Sequence, residues 1–121
     1  MVDCLDYMHE QKGVAHRDIK LENMLLSGDL TIKFADFGFA TNEGIEKLSQ
    51  FRGTKTYMAP EIKLGNVYNG KEVDIFSIGV VLFIMVRGIY PFTEATKNDQ
   101  FYEHILNDNL DTYWGRVDKI N

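Results

Sequence analysis

Between Val73 and Val86 the chain carries apolar residues on nearly every side of the helix that this segment predicts, leaving no face for water. Such a helix has to be central, with other parts of the chain packed around it, and is expected to be buried on most sides. Gly88 and Pro91 end it, the first by admitting a left-handed backbone and the second by lacking an N–H for a further turn. The longest apolar stretch, Ile75 to Val86, is broken by Ser77 and Gly79 and falls short of the roughly 20 residues that cross a bilayer. It reads as core, not as an anchor.

The remaining segments supply partners for that helix. Val2 to Lys12 is predicted helical, with Val2, Leu5, Met8 and His9 spaced three to four apart and Gly13 as the C-terminal cap. Met24 to Leu26 and Thr31 to Phe34 are short strand candidates joined by the turn Ser27-Gly28-Asp29. From Asp36 to about Tyr57 there is no sustained period, which predicts a long loop of functional character. A second helix is expected from about Asp99 to Leu106 with Phe101, Tyr102 and Ile105 inward, while the tail around Trp114 is open between helix and loop.

At 45% hydrophobic and 26% charged residues, a chain of 121 residues is ordinary for one globular domain and too apolar for disorder. Its net charge of −5, with Lys and Arg scattered, argues against a nucleic-acid surface or an anionic-membrane patch. The single Cys4 cannot form an internal disulfide and is expected to be a small buried residue on a helix. Met1 is followed by Asp3 and Asp6 and not by a basic then apolar run, so no secretory leader is expected and the protein reads as soluble and intracellular, in the cytoplasm.

Three polar strings stand out: His16-Arg17-Asp18-Ile19-Lys20-Leu21-Glu22-Asn23, then Asp36-Phe37-Gly38, then Ala59-Pro60-Glu61. Singly they are weak. A lone Asp18 in a turn is more often a cap, a lone His16 a packed core residue, and Asn23 or Asp36 a turn former. In this order and at these intervals they resemble the catalytic loop, metal-binding turn and activation-segment end of the eukaryotic-type serine/threonine protein kinases. The resemblance covers nearly the whole chain. Residues 1–23 resemble the helix and catalytic loop of the large lobe, and residues 36–61 the activation segment. Asp74-Ile75-Phe76-Ser77-Ile78-Gly79 resembles the start of the buried central helix, about 73–87, whose Asp anchors the catalytic-loop backbone; Gly88-Ile89-Tyr90-Pro91-Phe92 resembles the turn after it. The fold class this implies is protein kinase-like, α+β, the C-terminal lobe portion: mostly α-helical with a small β-hairpin next to the catalytic loop.

The activity implied is transfer of the ATP γ-phosphate to a Ser or Thr hydroxyl of a protein substrate, with Mg²⁺. By the resemblance, Asp18 orients the attacking hydroxyl, Lys20 reaches the transferring phosphate, and Thr54 hydrogen-bonds near both. Asn23 and Asp36 hold the metal, as hard oxygen ligands suit Mg²⁺, and Leu25 lies under the adenine ring while also serving as a strand core residue. His16 is structural, packed on Phe37, and Gly38 lets its turn move. Lys20 and the pair Gly53-Thr54 point to Ser/Thr over Tyr acceptors. Gly79 to Met85 most resembles the calcium/calmodulin-dependent group. Glu22 either greets a basic substrate residue or is a solvated loop carboxylate, with equal weight.

The pattern also departs from the family. Residues 1–121 hold no Gly-rich loop and no counterpart of the phosphate-pairing Lys and its Glu partner. Residues 1–121 are therefore expected to form a partial kinase domain without the small lobe and last helices, inactive by itself. The Arg that pairs with Glu61 would lie beyond residue 121, and apolar faces of the central helix should be exposed. The usual activating phosphosite, three residues before Gly53, is Gln50, with Ser49 adjacent and Thr41 and Thr56 elsewhere in the segment. Arg17, which would meet that phosphate, is expected to bond loop carbonyls; phosphorylation of Ser49 by an upstream kinase is the alternative. The competing class is a non-catalytic, kinase-derived interaction module or gene fragment.

Overall fold

In the computed structural model, which describes residues 1–120, the all-apolar segment forms α3, Gly70–Arg87. It starts three residues earlier than the periodicity predicts because the Asn69 side chain caps it, accepting from the Lys71 N–H at 2.9 Å. It ends at Gly88, whose φ of 70° is left-handed. Val73, Ser77, Ile78, Val80 and Val81 are buried. The outer side is not: Ile75, Leu82 and Met85 are exposed, and Val86 is 79% exposed. The expectation of burial on most sides is thus corrected, because among the described residues nothing covers that side, while the expectation of exposed apolar faces is met.

Two apolar clusters meet on α3. Ile78, Val80 and Val81 pack with Leu5, Ile19, Tyr57, Phe92 and Tyr102. Val73 packs with Leu48, Met58, Ala59, Ile62 and Tyr68, and Phe76 touches both groups. The central helix therefore ties the side of the chain that carries Leu5 and Ile19 to the segment before and after Ala59-Pro60-Glu61.

Around α3 lie short elements. The first helix, α1 (Val2–Asp6), widens into a π-helical turn, Tyr7–Gln11. Gly13, at φ 62°, closes it as expected, with the Val14 N–H donating to the Met8 carbonyl at 2.8 Å. Leu5, Met8 and His9 face inward; Val2 does not, but borders an open groove with Ile75 because it sits at the outer end of the helix. Cys4 is half-buried, not buried as expected, because it lies off the Leu5–Met8–His9 face.

Strands β1 (Met24–Leu26) and β2 (Ile32–Phe34) form the antiparallel hairpin, paired Met24 to Phe34, Leu25 to Lys33 and Leu26 to Ile32. From 36 to 57 the chain is a loop pinned at two isolated bridges, Ala15 to Thr41 and Leu48 to Tyr68, and closing in a 3₁₀ turn, Lys55–Tyr57. Ser77 Oγ donates to the Tyr57 carbonyl at 2.8 Å, which fastens that turn to α3. A short α2 (Pro60–Lys63) follows.

The C-terminal part holds α4 (Tyr102–Leu106) and α5 (Leu110–Val117). Sequence places the α4 start at Asp99; the helix begins three residues later because the Asp99 carboxylate is committed as a cap. One oxygen accepts from the Thr93 and Glu94 N–H groups at 2.9 and 3.1 Å, the other from Phe101 and Tyr102 at 3.0 and 2.9 Å. Tyr102 is the buried member of this helix, with Ile105 and the preceding Phe101 half-buried against the core. In α5, which sequence left open, Tyr113 and Val117 are buried four apart and Trp114 stacks on Phe83 at 5.9 Å. Burial pushes the Tyr113 phenol up to about 12, and its hydroxyl donates to the Pro91 carbonyl at 3.1 Å. Among the described residues no helix is long and apolar enough to cross a membrane.

Asp99 gives a stability prediction. Its partial burial pushes the carboxyl pKa up, but the four N–H donors together outweigh that and hold it below the usual carboxylate range. A depressed folded pKa means that this stability is fully present above about pH 4 and is lost as pH falls through the folded value. Asp99→Asn, with one acceptor oxygen where four N–H groups converge, should cost about 1–3 kcal/mol at neutral pH. Urea unfolding at pH 7 and pH 3 checks this: the gap between wild type and variant should shrink at the lower pH.

Candidate active site

The site is built on Asp74, in the first turns of α3 and only 1% exposed. Its Oδ2 accepts from the His16 backbone N–H at 2.8 Å and lies 2.8 Å from His9 Nε2; its Oδ1 accepts from the Arg17 N–H at 2.8 Å. The loop backbone is thereby gripped immediately before Asp18. Arg17 has φ 65°, a left-handed conformation that few residues with a side chain adopt unless their surroundings enforce it. Asp74 supplies that enforcement. The partnership with His9 was missed in the sequence, although a histidine on the inward face of a helix has to find a polar partner.

That turn delivers Asp18, 8% exposed, to a cluster of donors. Thr54 Oγ1 donates to Asp18 Oδ1 at 2.7 Å, and Lys20 Nζ donates to Thr54 Oγ1 at 2.9 Å. Lys20 Nζ also lies 3.6 Å from Asp18 Oδ2. Asn23 Nδ2 donates to the Asp18 carbonyl at 2.9 Å and reaches Asp18 Oδ2 at 3.3 Å. Asp18, Lys20, Asn23 and Thr54 are thus brought together although Thr54 is 36 residues from Asp18. Gly53 makes the approach feasible: at φ 120°, any Cβ there would sit 2.8 Å from the Arg17 carbonyl oxygen.

Asp36 enters from the end of β2. The Ala35 N–H donates to the Asn23 carbonyl at 2.8 Å, so the two metal-ligand candidates share one backbone link. Asp36 is exposed, has φ 56°, and accepts from the Gly38 N–H through Oδ1 at 3.2 Å. The Nδ2 of Asn23 is committed to Asp18, leaving its amide oxygen as the candidate ligand atom, and Asp36 adds a carboxylate. This all-oxygen pair suits Mg²⁺, which takes few protein ligands and completes its shell with phosphate and water oxygens. Among the described residues there is no cluster of three or more His, Cys, Asp or Glu able to hold a metal.

His16 is fully buried; its Nε2 lies 2.9 Å from the Ala35 carbonyl and its ring packs on Phe37 at 4.8 Å between centroids. That is the structural role expected of it. Arg17 bonds a loop carbonyl as expected, Nε donating to Phe39 O at 2.6 Å; its second contact, Nη1 to Gln50 Oε1 at 3.3 Å, was not anticipated. Leu25 is not a strand core residue but 57% exposed, an apolar side chain open on the hairpin. Glu22 is exposed in the 3₁₀ turn Leu21–Asn23.

Against this geometry, the family model for the protein kinase domain matches residues 1–119. The chain belongs to the protein kinase domain family. Its helices and small two-stranded hairpin, among the described residues, are consistent with the C-terminal lobe portion of the kinase fold. Serine/threonine-protein kinase kin-29 of Caenorhabditis briggsae is 45% identical over 97 residues, 79% of this chain and 12% of that protein. CBL-interacting serine/threonine-protein kinase 24 of Arabidopsis thaliana is 44% identical over 97 residues, 78% of this chain and 22% of that protein. The chain thus spans less than a quarter of the length of either relative.

Proposed function

We propose that this chain is the phosphoryl-transfer part of a serine/threonine protein kinase, moving the γ-phosphate of ATP to a Ser or Thr hydroxyl of a protein substrate. One observation carries the reading: Thr54 Oγ1 bridges Asp18 Oδ1 and Lys20 Nζ at 2.7 and 2.9 Å, joining the catalytic loop to the segment before Ala59-Pro60-Glu61. Asp18 accepts the proton of the attacking hydroxyl as its oxygen bonds to phosphorus and the bond to the ADP oxygen breaks. Lys20 offsets charge on the moving phosphoryl group. Bound Mg²⁺, held through Asn23 and Asp36, would supply charge neutralisation on the phosphates. Leu25 offers the adenine an apolar surface. The 45% and 44% identity to proteins named serine/threonine-protein kinases supports Ser and Thr as acceptors.

The finer features belong to the same proposal. Gly79 to Met85 favours the calcium/calmodulin-dependent group, Ser49 is exposed to an upstream kinase, residues 1–121 form part of a larger kinase domain and need a small lobe for activity, and the protein works inside the cell, in the cytoplasm.

The full-length protein incubated with MgATP should phosphorylate Ser and Thr peptides and leave Tyr peptides untouched. Thr54→Ala should lower kcat about 10- to 100-fold, the worth of a hydrogen bond to a charged group, whereas Thr54→Ser should stay within about threefold of wild type. Equal losses in both variants, or transfer to Tyr alone, would contradict the assignment.

A further inference from the structure

Arg17 is held by the activation segment at two points. Its carbonyl oxygen faces Gly53, where the backbone passes too close for any side chain, and its guanidinium reaches Gln50 Oε1 at 3.3 Å as well as the Phe39 carbonyl at 2.6 Å. A guanidinium has only donors, so it is the amide oxygen of Gln50 that it meets. Gln50 is itself fixed from behind. Its carbonyl accepts from the buried Tyr68 hydroxyl at 2.7 Å, and two residues earlier Leu48 exchanges both backbone hydrogen bonds with Tyr68 at 2.8 Å. Four residues after Gln50 comes Thr54, the residue that touches Asp18 and Lys20. On the other side, Arg17 directly precedes Asp18 in a left-handed conformation that lasts only while its surroundings hold it. Gln50 and Arg17 thus stand where a polar side chain of the segment reaches the loop just ahead of the reacting groups.

We propose that Gln50 is a positioning residue for phosphoryl transfer: by accepting from Arg17, its amide holds the segment carrying Thr54 against the loop carrying Asp18 and Lys20. Both acceptors of the Arg17 guanidinium, the Phe39 carbonyl and the Gln50 amide, are neutral and encoded in the chain. The clasp therefore closes without covalent modification of the segment. Because phosphoryl transfer depends on positioning, loosening the clasp acts on turnover more than on substrate binding. The inference rests on the kinase reading above.

The test uses the full-length protein, steady-state kinetics with MgATP and a Ser peptide, and urea unfolding in parallel. Gln50→Ala should lower kcat about three- to tenfold, as expected for one exposed hydrogen bond to a charged group, with KM for ATP and the unfolding midpoint unchanged. Gln50→Glu, whose carboxylate accepts from the same guanidinium, should restore kcat to within about twofold of wild type. Phosphatase treatment of the wild type should leave kcat unchanged. An active protein in which Gln50→Ala turns over like wild type, in which Gln50→Glu fails as Gln50→Ala does, or which phosphatase inactivates, overturns this inference alone. A full-length protein that moves no phosphate to Ser, Thr or Tyr peptides overturns the kinase reading and this inference with it.

Discussion

Asp18→Asn in the full-length protein lowers kcat by about 10²- to 10⁴-fold, the range spanned by a positioned general base, and leaves KM for ATP within about twofold. The reason lies in the three donors around the carboxylate: Thr54 Oγ1 on Oδ1, with Asn23 Nδ2 at 3.3 Å and Lys20 Nζ at 3.6 Å from Oδ2. An amide can present an oxygen to only one side. Turned toward Thr54, its NH₂ group faces the Lys20 ammonium and the Asn23 amide nitrogen; turned the other way, it faces Thr54 and leaves the hydroxyl of the substrate without an acceptor. The change is isosteric, but Asp18 is buried among those donors, so the unfolding free energy should fall by about 1–3 kcal/mol while the protein stays folded without urea. The check is kcat and KM side by side with unfolding. A variant with near-normal kcat would remove Asp18 from the reaction, and one that unfolds would show that its role is structural.

Asp74→Asn acts on the fold first and on turnover through it. Its carboxylate receives the N–H groups of His16 and Arg17 and pairs with His9 Nε2, all at 2.8 Å and almost wholly out of water. An amide keeps one acceptor oxygen and puts an NH₂ against a backbone N–H, so at least one buried donor loses its partner. Breaking a buried, hydrogen-bonded charge site costs about 3–5 kcal/mol, a large share of the 5–15 kcal/mol by which a domain is stable. The expected result is an unfolding free energy, read from urea titration, lowered by that amount. At low denaturant, where folded protein remains, kcat should fall as well, because Arg17 is no longer held at φ 65° ahead of Asp18. A stability loss under about 1 kcal/mol would show that the anchor is dispensable.

Short-range patterns were read well because their causes are local. Gly13 and Gly88 end helices through their own backbone freedom, and both stand at φ near 60–70° where the sequence places them. The hairpin of Met24–Leu26 and Ile32–Phe34 follows from two apolar runs around a turn composition. Residues whose burial depends on what another segment brings were read less well. Val2 and Leu25 look like core by pattern and are exposed, since nothing among the described residues packs on them. The start of α4 was displaced because Asp99 turned out to be a cap for two backbone segments at once, which no periodicity records.

The sequence by itself determined which groups could do the chemistry, because Asp18, Lys20, Asn23 and Asp36 are recognisable as types at intervals along one stretch of chain. It also determined that a helix apolar on all sides would stand at the centre. Only the tertiary structure decided how those groups meet: that Thr54 closes on Asp18 from 36 residues away, that His9 and Asp74 grip the loop from behind, and that Gln50 takes the Arg17 guanidinium. The physical reason is the reach of each effect. Helix ends, turns and side-chain chemistry are set within a few residues, whereas a hydrogen bond between distant segments exists only once burial of α3 has drawn those segments together.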